Sequence, residues 1–197
     1  MSFQPETAAL GFRVKSGWAA VVLISGSARS LRIRDCFTID LCDPKIPATR
    51  QPYHAAMGKL ESNVATVNAR VRIVRAVAKR SMISLFADCR RKSLHVARAG
   101  IVAGSQIDPS RIANRHIRAH ALEGQLFRNL LEQNLRTQKI PTFVLTEREA
   151  FAQAAANLKR STGELRRVVE KLGKTADGPW RAEQKFACLA ALIALPR

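Results

Sequence analysis

The chain has 197 residues, with 33 Lys and Arg against 15 Asp and Glu, and a formal net charge of +18. Because 47% of the residues are hydrophobic, the composition excludes a disordered basic tail and predicts one domain of ordinary size over residues 1–197. So large a positive charge indicates a polyanionic partner, in the first place nucleic acid and in the second an anionic membrane surface.

Cysteine usage and apolar run lengths indicate a cytoplasmic protein with no membrane partner. The four cysteines form no Cys-x-x-Cys pair, so neither a disulfide scaffold nor a structural zinc site is expected. The longest apolar run, Phe186–Leu195, is about half of the roughly 20 residues that span a bilayer. The segment Met1–Thr7 has no secretory signal pattern.

The first 42 residues have the pattern of an antiparallel β-meander. Turn residues at Lys15–Gly17 and Gly26–Ser27 separate apolar segments, and the period of two from Leu31 to Leu41 is typical of a strand with one buried face. We expect strands at 8–14, 18–25 and 31–41. Three prolines between Asp43 and Pro52 predict a loop.

The rest of the chain alternates helices and strands. Apolar residues spaced by three and four predict helix over Tyr53–Lys92, as one helix or two, with Gly58 near its start. Asp108 and Pro109 predict a helix start, and residues 146–149 have the pattern of a capping box. The further predicted elements are a strand at Leu94–Ala103, a helix to Gln138, a strand at Ile140–Leu145 and a helix to Leu158. A short helix from Thr162 to Gly173 and a last helix that Gly178 and Pro179 open and that runs to Leu195 follow. This order predicts an α/β fold with parallel strands covered by helices.

A motif near the N-terminus resembles the opening of Holliday-junction resolvases, a branch of the ribonuclease H-like superfamily. The chain reads Leu10-Gly11-Phe12-Arg13, a short loop, then Gly17-Trp18-Ala19, where that family has Leu-Gly-Ile-Asp, a loop and Gly-Trp/Tyr-Ala. The Ala-rich segment Glu183–Ala190 is similar to the family's final helix. The resemblance implies a ribonuclease H-like mixed sheet in the order βββ-α-β-α-β-α, with an extra short helix near the C-terminus.

The family's catalytic residues are not matched, which implies a divergent member. Arg13 stands where the family has a metal-binding Asp, and the last helix has Glu183 followed by Gln184 and Lys185 in place of paired acids. A cation repels Mg²⁺, and two-metal hydrolysis needs several converging carboxylates. We therefore expect a pseudonuclease with no bound metal or cofactor, the alternative being Mg or Mn if the protein is a nuclease.

Basic residues are concentrated in one segment. From Thr66 to Arg118 there are twelve basic residues and two acidic ones. Charge runs usually form solvated faces, but here too few acids are present to balance them, so a phosphate-binding surface is an equal interpretation. The candidate nucleic-acid-binding residues are Arg13, Lys15, Arg72, Arg75, Lys79, Arg111, Arg115 and Arg118.

A second candidate site lies on the predicted helix after Pro109. His116, His120 and Glu123 share one helix face and could bind a transition metal or move protons, with Arg148 as a neighbour beyond a strand end. The alternative is a polar helix face without chemistry. Tyr53 and His54 lie in a proline-rich loop that either lines a pocket or rigidly caps the following helix.

Three functions remain open from the sequence. The first is a nucleic-acid-binding protein of ribonuclease H-like fold without standard two-metal nuclease activity. The second is a divergent metal-dependent nuclease or other hydrolase with a site near His116, His120 and Glu123. The third is a structural or interaction module of a larger complex. Whether the protein is an enzyme is left open.

Overall fold

A five-stranded mixed sheet forms the centre of the protein in a computed structural model that describes residues 5–27, 30–55 and 58–196. β1 (Glu6–Lys15), β2 (Trp18–Ser27) and β3 (Ser30–Asp40) form the expected antiparallel meander. β4 (Leu94–Ala103) and β5 (Thr142–Thr146) add to β1 in parallel, giving the strand order β3-β2-β1-β4-β5. The α/β prediction is confirmed.

Helices cover both faces of this sheet. On one face, α1 (Val64–Arg91) and α2 (Arg115–Thr137) bury one apolar core. On the other face, α3 (Ala150–Leu158), α4 (Thr162–Gly173) and α5 (Ala182–Ala194) bury a second core. Successive β1 residues alternate between the two cores, as side chains on a strand must.

Helix α5 packs directly on the central strands because glycines face it. A Cβ at Gly11 would lie 1.8 Å from the carbonyl oxygen of Ala187, and one at Gly100 would lie 2.8 Å from that of Ala190. The small residues of α5 complete the fit, and this close approach carries the N-terminal end of α5 to the end of β1 where Arg13 lies.

Helix α1 is one continuous helix that begins later than expected. The side chain of Asn63 accepts a hydrogen bond from the Thr66 amide at 3.1 Å and caps the helix, so the prediction of helix from Tyr53 was wrong. Gly58 lies in the preceding loop with a φ of +72°, a conformation that interrupts a helix.

The starts of the later helices also differ from expectation. Asp108 caps a short 3-10 turn, Pro109–Arg111, and α2 begins only after Asn114, whose side chain caps it. Arg111 therefore lies in this turn and not on α2 with Arg115 and Arg118.

Two further helix starts lie later in the chain than predicted. The Thr146 hydroxyl donates to the Glu149 carboxylate at 2.8 Å instead of capping a helix, so α3 starts at Ala150 and no capping box forms there. The last helix starts at Ala182, beyond Gly178. At Asp108 and at Thr146, the residues of the predicted helix cap close a turn instead. Within the part of the chain that the structure describes, no helix is long and apolar enough to cross a membrane.

Candidate functional site

Arg13 occupies the edge of the sheet where the carboxyl ends of three parallel strands meet. It lies opposite Val102 of β4, which in turn lies opposite Leu145 of β5. Its side chain is only 3% exposed and forms an ion pair with Glu147, just beyond β5. The guanidinium also donates to the carbonyl oxygen of Val14 at 2.7 Å. A buried guanidinium that already has an ion-pair partner and a hydrogen-bond acceptor therefore lies where the resemblance implies a metal-binding Asp.

The acidic residues of α5 and its neighbours are also paired with bases. Glu183 lies 3.7 Å from Lys15, and Lys185 lies 2.6 Å from Glu170. Gln184 is buried and accepts a hydrogen bond from the Arg181 amide. The carboxylates that the chain retains here are thus committed to intramolecular contacts.

A cleft of about 340 Å³ opens beside this edge. Its walls include Arg13 and Lys15 from β1, Gly104 and Ser105 after β4, and His120 from α2. The cleft therefore connects the carboxyl edge of the sheet to the candidate histidines.

His116 and His120 meet a third histidine, His54, which the loop before α1 supplies. The ring centroid of His54 lies 4.4 Å from that of His120 and 5.2 Å from that of His116. The Nε2 atoms of His116 and His120 are 3.2 Å apart. One nitrogen from each ring can be chosen so that all three lie within 4.8 Å of one another. Among the described residues, these three histidines are the one group of potential metal ligands brought this close together.

Glu123 lies beneath the three rings and is completely buried. Its Oε1 is 2.7 Å from Nδ1 of His54, and its Oε2 is 3.5 Å from Nδ1 of His120. Burial raises the pKa of Glu123 to about 7, and the nearby His120 opposes this shift. Burial also lowers the pKa of His54, as does the neighbouring His116. The environment thus favours a neutral His54 ring.

The loop that carries His54 is held against α1 and α2. Arg70 of α1 donates to the carbonyl oxygen of His54 at 2.8 Å and pairs with Glu61 at 3.6 Å. On the α2 side, the carbonyl oxygen of Gly58 lies 2.7 Å from Nδ1 of His116. A Cβ at Gly58 would lie 3.1 Å from that same nitrogen, so glycine permits both the positive φ and the close approach.

Five of the candidate phosphate-binding side chains are exposed and make no ion pair with any carboxylate in the described part of the chain. We refer to them as the unpaired basic set. Its members are Arg72, Arg75 and Lys79 on α1, Arg111 in the 3-10 turn, and Arg115 at the start of α2.

The remaining candidates are placed differently. Arg13 is buried and Lys15 contacts Glu183, as described above, and Arg118 donates to the carbonyl oxygen of Ile112 at 2.7 Å. Arg148 is exposed in the turn before α3, and no hydrogen bond or ion pair of the described residues joins it to the histidines.

His54 is the site residue that the spacing argument did not include. It lies 62 residues before His116 in the sequence, so helical periodicity cannot connect the two. The usable signal was the polar and aromatic pair Tyr53-His54 within a proline-rich loop, one interpretation of which was a pocket lining.

Comparison with known proteins shows the fold. No protein-family model and no curated protein matches the sequence. The chain is similar to the solved structure of Thermus thermophilus RuvC in complex with a Holliday junction substrate, with 11% identity and a TM-score of 0.57 over 94% of this chain and 91% of that one. A second structure of Thermus thermophilus RuvC matches at 11% identity and a TM-score of 0.56, over 94% and 92%. The chain therefore has the ribonuclease H-like fold that the resemblance implied.

Proposed function

We propose that the protein binds nucleic acid through the unpaired basic set and does not cut it by the two-metal mechanism. The observation that carries the proposal is the unpaired basic set itself: five exposed cations without carboxylate partners, on a fold shared with a protein solved in complex with a Holliday junction. At the C-terminal end of α1, Arg91 and Lys92 do pair with carboxylates, those of Asp88 and Asp35.

The members on α1 suit a phosphate backbone. Arg72, Arg75 and Lys79 lie at i, i+3 and i+7, so they cover about 10 Å of one helix side, roughly the length of three base pairs. Arginine can hold a phosphate with two parallel hydrogen bonds, and four of the five members are arginines.

The contacts of Arg13 support the second half of the proposal. A divalent ion at the carboxyl edge of the sheet would lie beside a buried guanidinium, which repels it. Glu147 is already paired with that guanidinium and is not a free ligand. Glu183, the acid that α5 retains, forms an ion pair with Lys15.

Binding is tested by fluorescence anisotropy with four-way-junction, duplex and single-stranded DNA and with RNA, over a series of salt concentrations. Each phosphate contact on duplex DNA contributes about −0.9 to the slope of log K against log salt, so a variant with Arg72, Arg75 and Lys79 changed to Glu should flatten the slope by roughly 2 to 3. The matched control changes Arg167, Lys171 and Lys174, exposed residues in and just after α4, to Glu. Both variants remove the same formal charge.

Equal weakening by the two triple variants would show that overall charge, not this surface, attracts the polyanion, and binding unaffected by salt would reject the proposal outright.

The absence of two-metal cleavage is tested separately. Junction, duplex and single-stranded substrates are incubated with Mg²⁺ or Mn²⁺, and no cleavage is expected. Cleavage that Glu147→Gln or Glu183→Gln abolishes would show that the carboxyl edge is a nuclease site after all.

A further inference from the structure

We propose that His54, His116 and His120 bind one divalent transition-metal ion of the zinc class through their Nε2 atoms, and that Glu123 is a positioning residue for two of the rings. The site includes no member of the unpaired basic set, although Arg115 is adjacent to His116, so the proposal does not depend on the proposed nucleic-acid binding.

The contacts of the three rings favour a proton on Nδ1 and a free lone pair on Nε2. The Gly58 carbonyl can only accept, so it fixes the proton of His116 on Nδ1. Glu123 Oε1 lies 2.7 Å from Nδ1 of His54 and holds a proton on that nitrogen in the same way. Glu123 Oε2 lies 3.5 Å from Nδ1 of His120 without a hydrogen bond, so the carboxylate favours a proton on that nitrogen by its charge alone. In neutral rings each Nε2 then carries a lone pair, the form in which histidine ligates a metal.

The spacing of two of these nitrogens, those of His116 and His120, matches tetrahedral coordination. Zinc–nitrogen bonds of about 2.0–2.1 Å separate two ligand nitrogens by about 3.3 Å in a tetrahedron. Nε2 of His116 and Nε2 of His120 are already 3.2 Å apart. Without an ion, one of these nitrogens must keep a proton for the contact to be attractive.

The atom His54 Nε2 gives an independent indication of a ligand. It is buried, and no described residue hydrogen-bonds to it, while the His54 side chain is only 7% exposed. A buried polar atom without a partner is costly, because its hydration is lost and nothing replaces it. A metal ion among the three rings would supply the missing partner.

The composition of the site selects the class of metal. Three imidazole nitrogens suit zinc, copper, nickel or iron and disfavour magnesium or calcium, which prefer oxygen ligands. A buried carboxylate that orients ligating histidines from behind is the usual outer-shell arrangement at zinc sites. Three protein ligands leave a fourth position open, and here the exposed His116 and His120 face the surface.

The test uses the full chain without a polyhistidine tag, stripped with a chelator and titrated with Zn²⁺ against a chromophoric competitor and with Co²⁺ by visible absorption. We expect one ion per chain and the intense bands of tetrahedral cobalt. His116→Ala and His120→Ala should each weaken binding by more than about 100-fold, and Glu123→Gln by roughly 10- to 100-fold with the cobalt bands retained. His95→Ala, an exposed histidine on β4, is the matched control and should bind as the wild type does.

Two results would overturn the proposal. One is His120→Ala binding Zn²⁺ as tightly as His95→Ala, and the other is cobalt spectra of an octahedral aquo ion. Because His116 and His120 are exposed, both variants should keep the wild-type circular dichroism spectrum, so weakened binding cannot be attributed to unfolding.

Discussion

The ion pair between Arg13 and Glu147 makes an asymmetric prediction about stability. The two partners differ greatly in burial: the side chain of Arg13 is 3% exposed and that of Glu147 is 43% exposed. Removing the acid strands a charge inside the protein, whereas removing the base leaves a carboxylate that water can reach. We therefore expect Glu147→Ala to destabilise the fold much more than Arg13→Met.

The magnitudes follow from this geometry. Breaking a fully buried pair costs about 3–5 kcal/mol, and breaking an exposed pair costs about 0–1 kcal/mol. In Glu147→Ala the Arg13 guanidinium keeps the Val14 carbonyl at 2.7 Å but loses its counter-ion, so we expect an intermediate cost of about 2 kcal/mol. Methionine fills much of the volume of Arg13 without a charge, so Arg13→Met should cost less than about 1 kcal/mol.

Urea denaturation followed by circular dichroism measures both changes, provided that the slope of unfolding free energy against urea is unchanged. The double variant completes a thermodynamic cycle, and it should be close to Arg13→Met alone because no buried charge remains. If Arg13→Met proved the more damaging single change, the guanidinium would be stabilising the edge through its carbonyl contacts and not merely tolerated there because of Glu147.

Two further predictions concern packing and thiol chemistry. Gly11→Ala should cost more than the roughly 1–3 kcal/mol of ordinary overpacking, since its Cβ would lie 1.8 Å from the Ala187 carbonyl oxygen, and a urea midpoint close to that of the wild type would contradict the packing of α5 on β1. Burial raises the pKa of the Cys89 thiol to about 11 and also raises that of Cys188, so both should resist a thiol reagent at pH 8 until urea unfolds the protein. Partly exposed Cys36 is the internal comparison, and labelling of Cys188 at the same rate in native protein would refute the burial argument.

The order of elements could be predicted from the sequence because local periodicity and turn residues identify each strand and helix. The boundaries of β4 and α4 agree with the predicted ones. At the start of α4, the Ser161 side chain caps the helix. The helix starts at Asp108 and Thr146 were wrong for a common reason. Residues that can cap a helix can also close a turn, and the neighbouring chain decides which of the two occurs.

Only part of the candidate site could be predicted from the sequence. His116, His120 and Glu123 share a helix face, so helical spacing alone brings them together. His54 reaches them by tertiary packing, held by Arg70 and by a loop that Gly58 allows to turn. No periodicity carries that information, because the contact joins a loop to a helix across an intervening helix and strand.

The two centres of this protein differ in what a metal ion would meet. At the carboxyl edge of the sheet, an ion would meet the Arg13 guanidinium and carboxylates already neutralised by bases. At the other wall of the cleft that Arg13 and His120 both line, an ion would meet nitrogen ligands with the buried carboxylate of Glu123 behind them. The histidine site is the more favourable one for a transition metal, because nitrogen lone pairs and the carboxylate behind them attract such an ion while a buried cation repels it. We therefore expect any metal chemistry of this protein at the histidines of α2 and the loop before α1, and not at the strand ends.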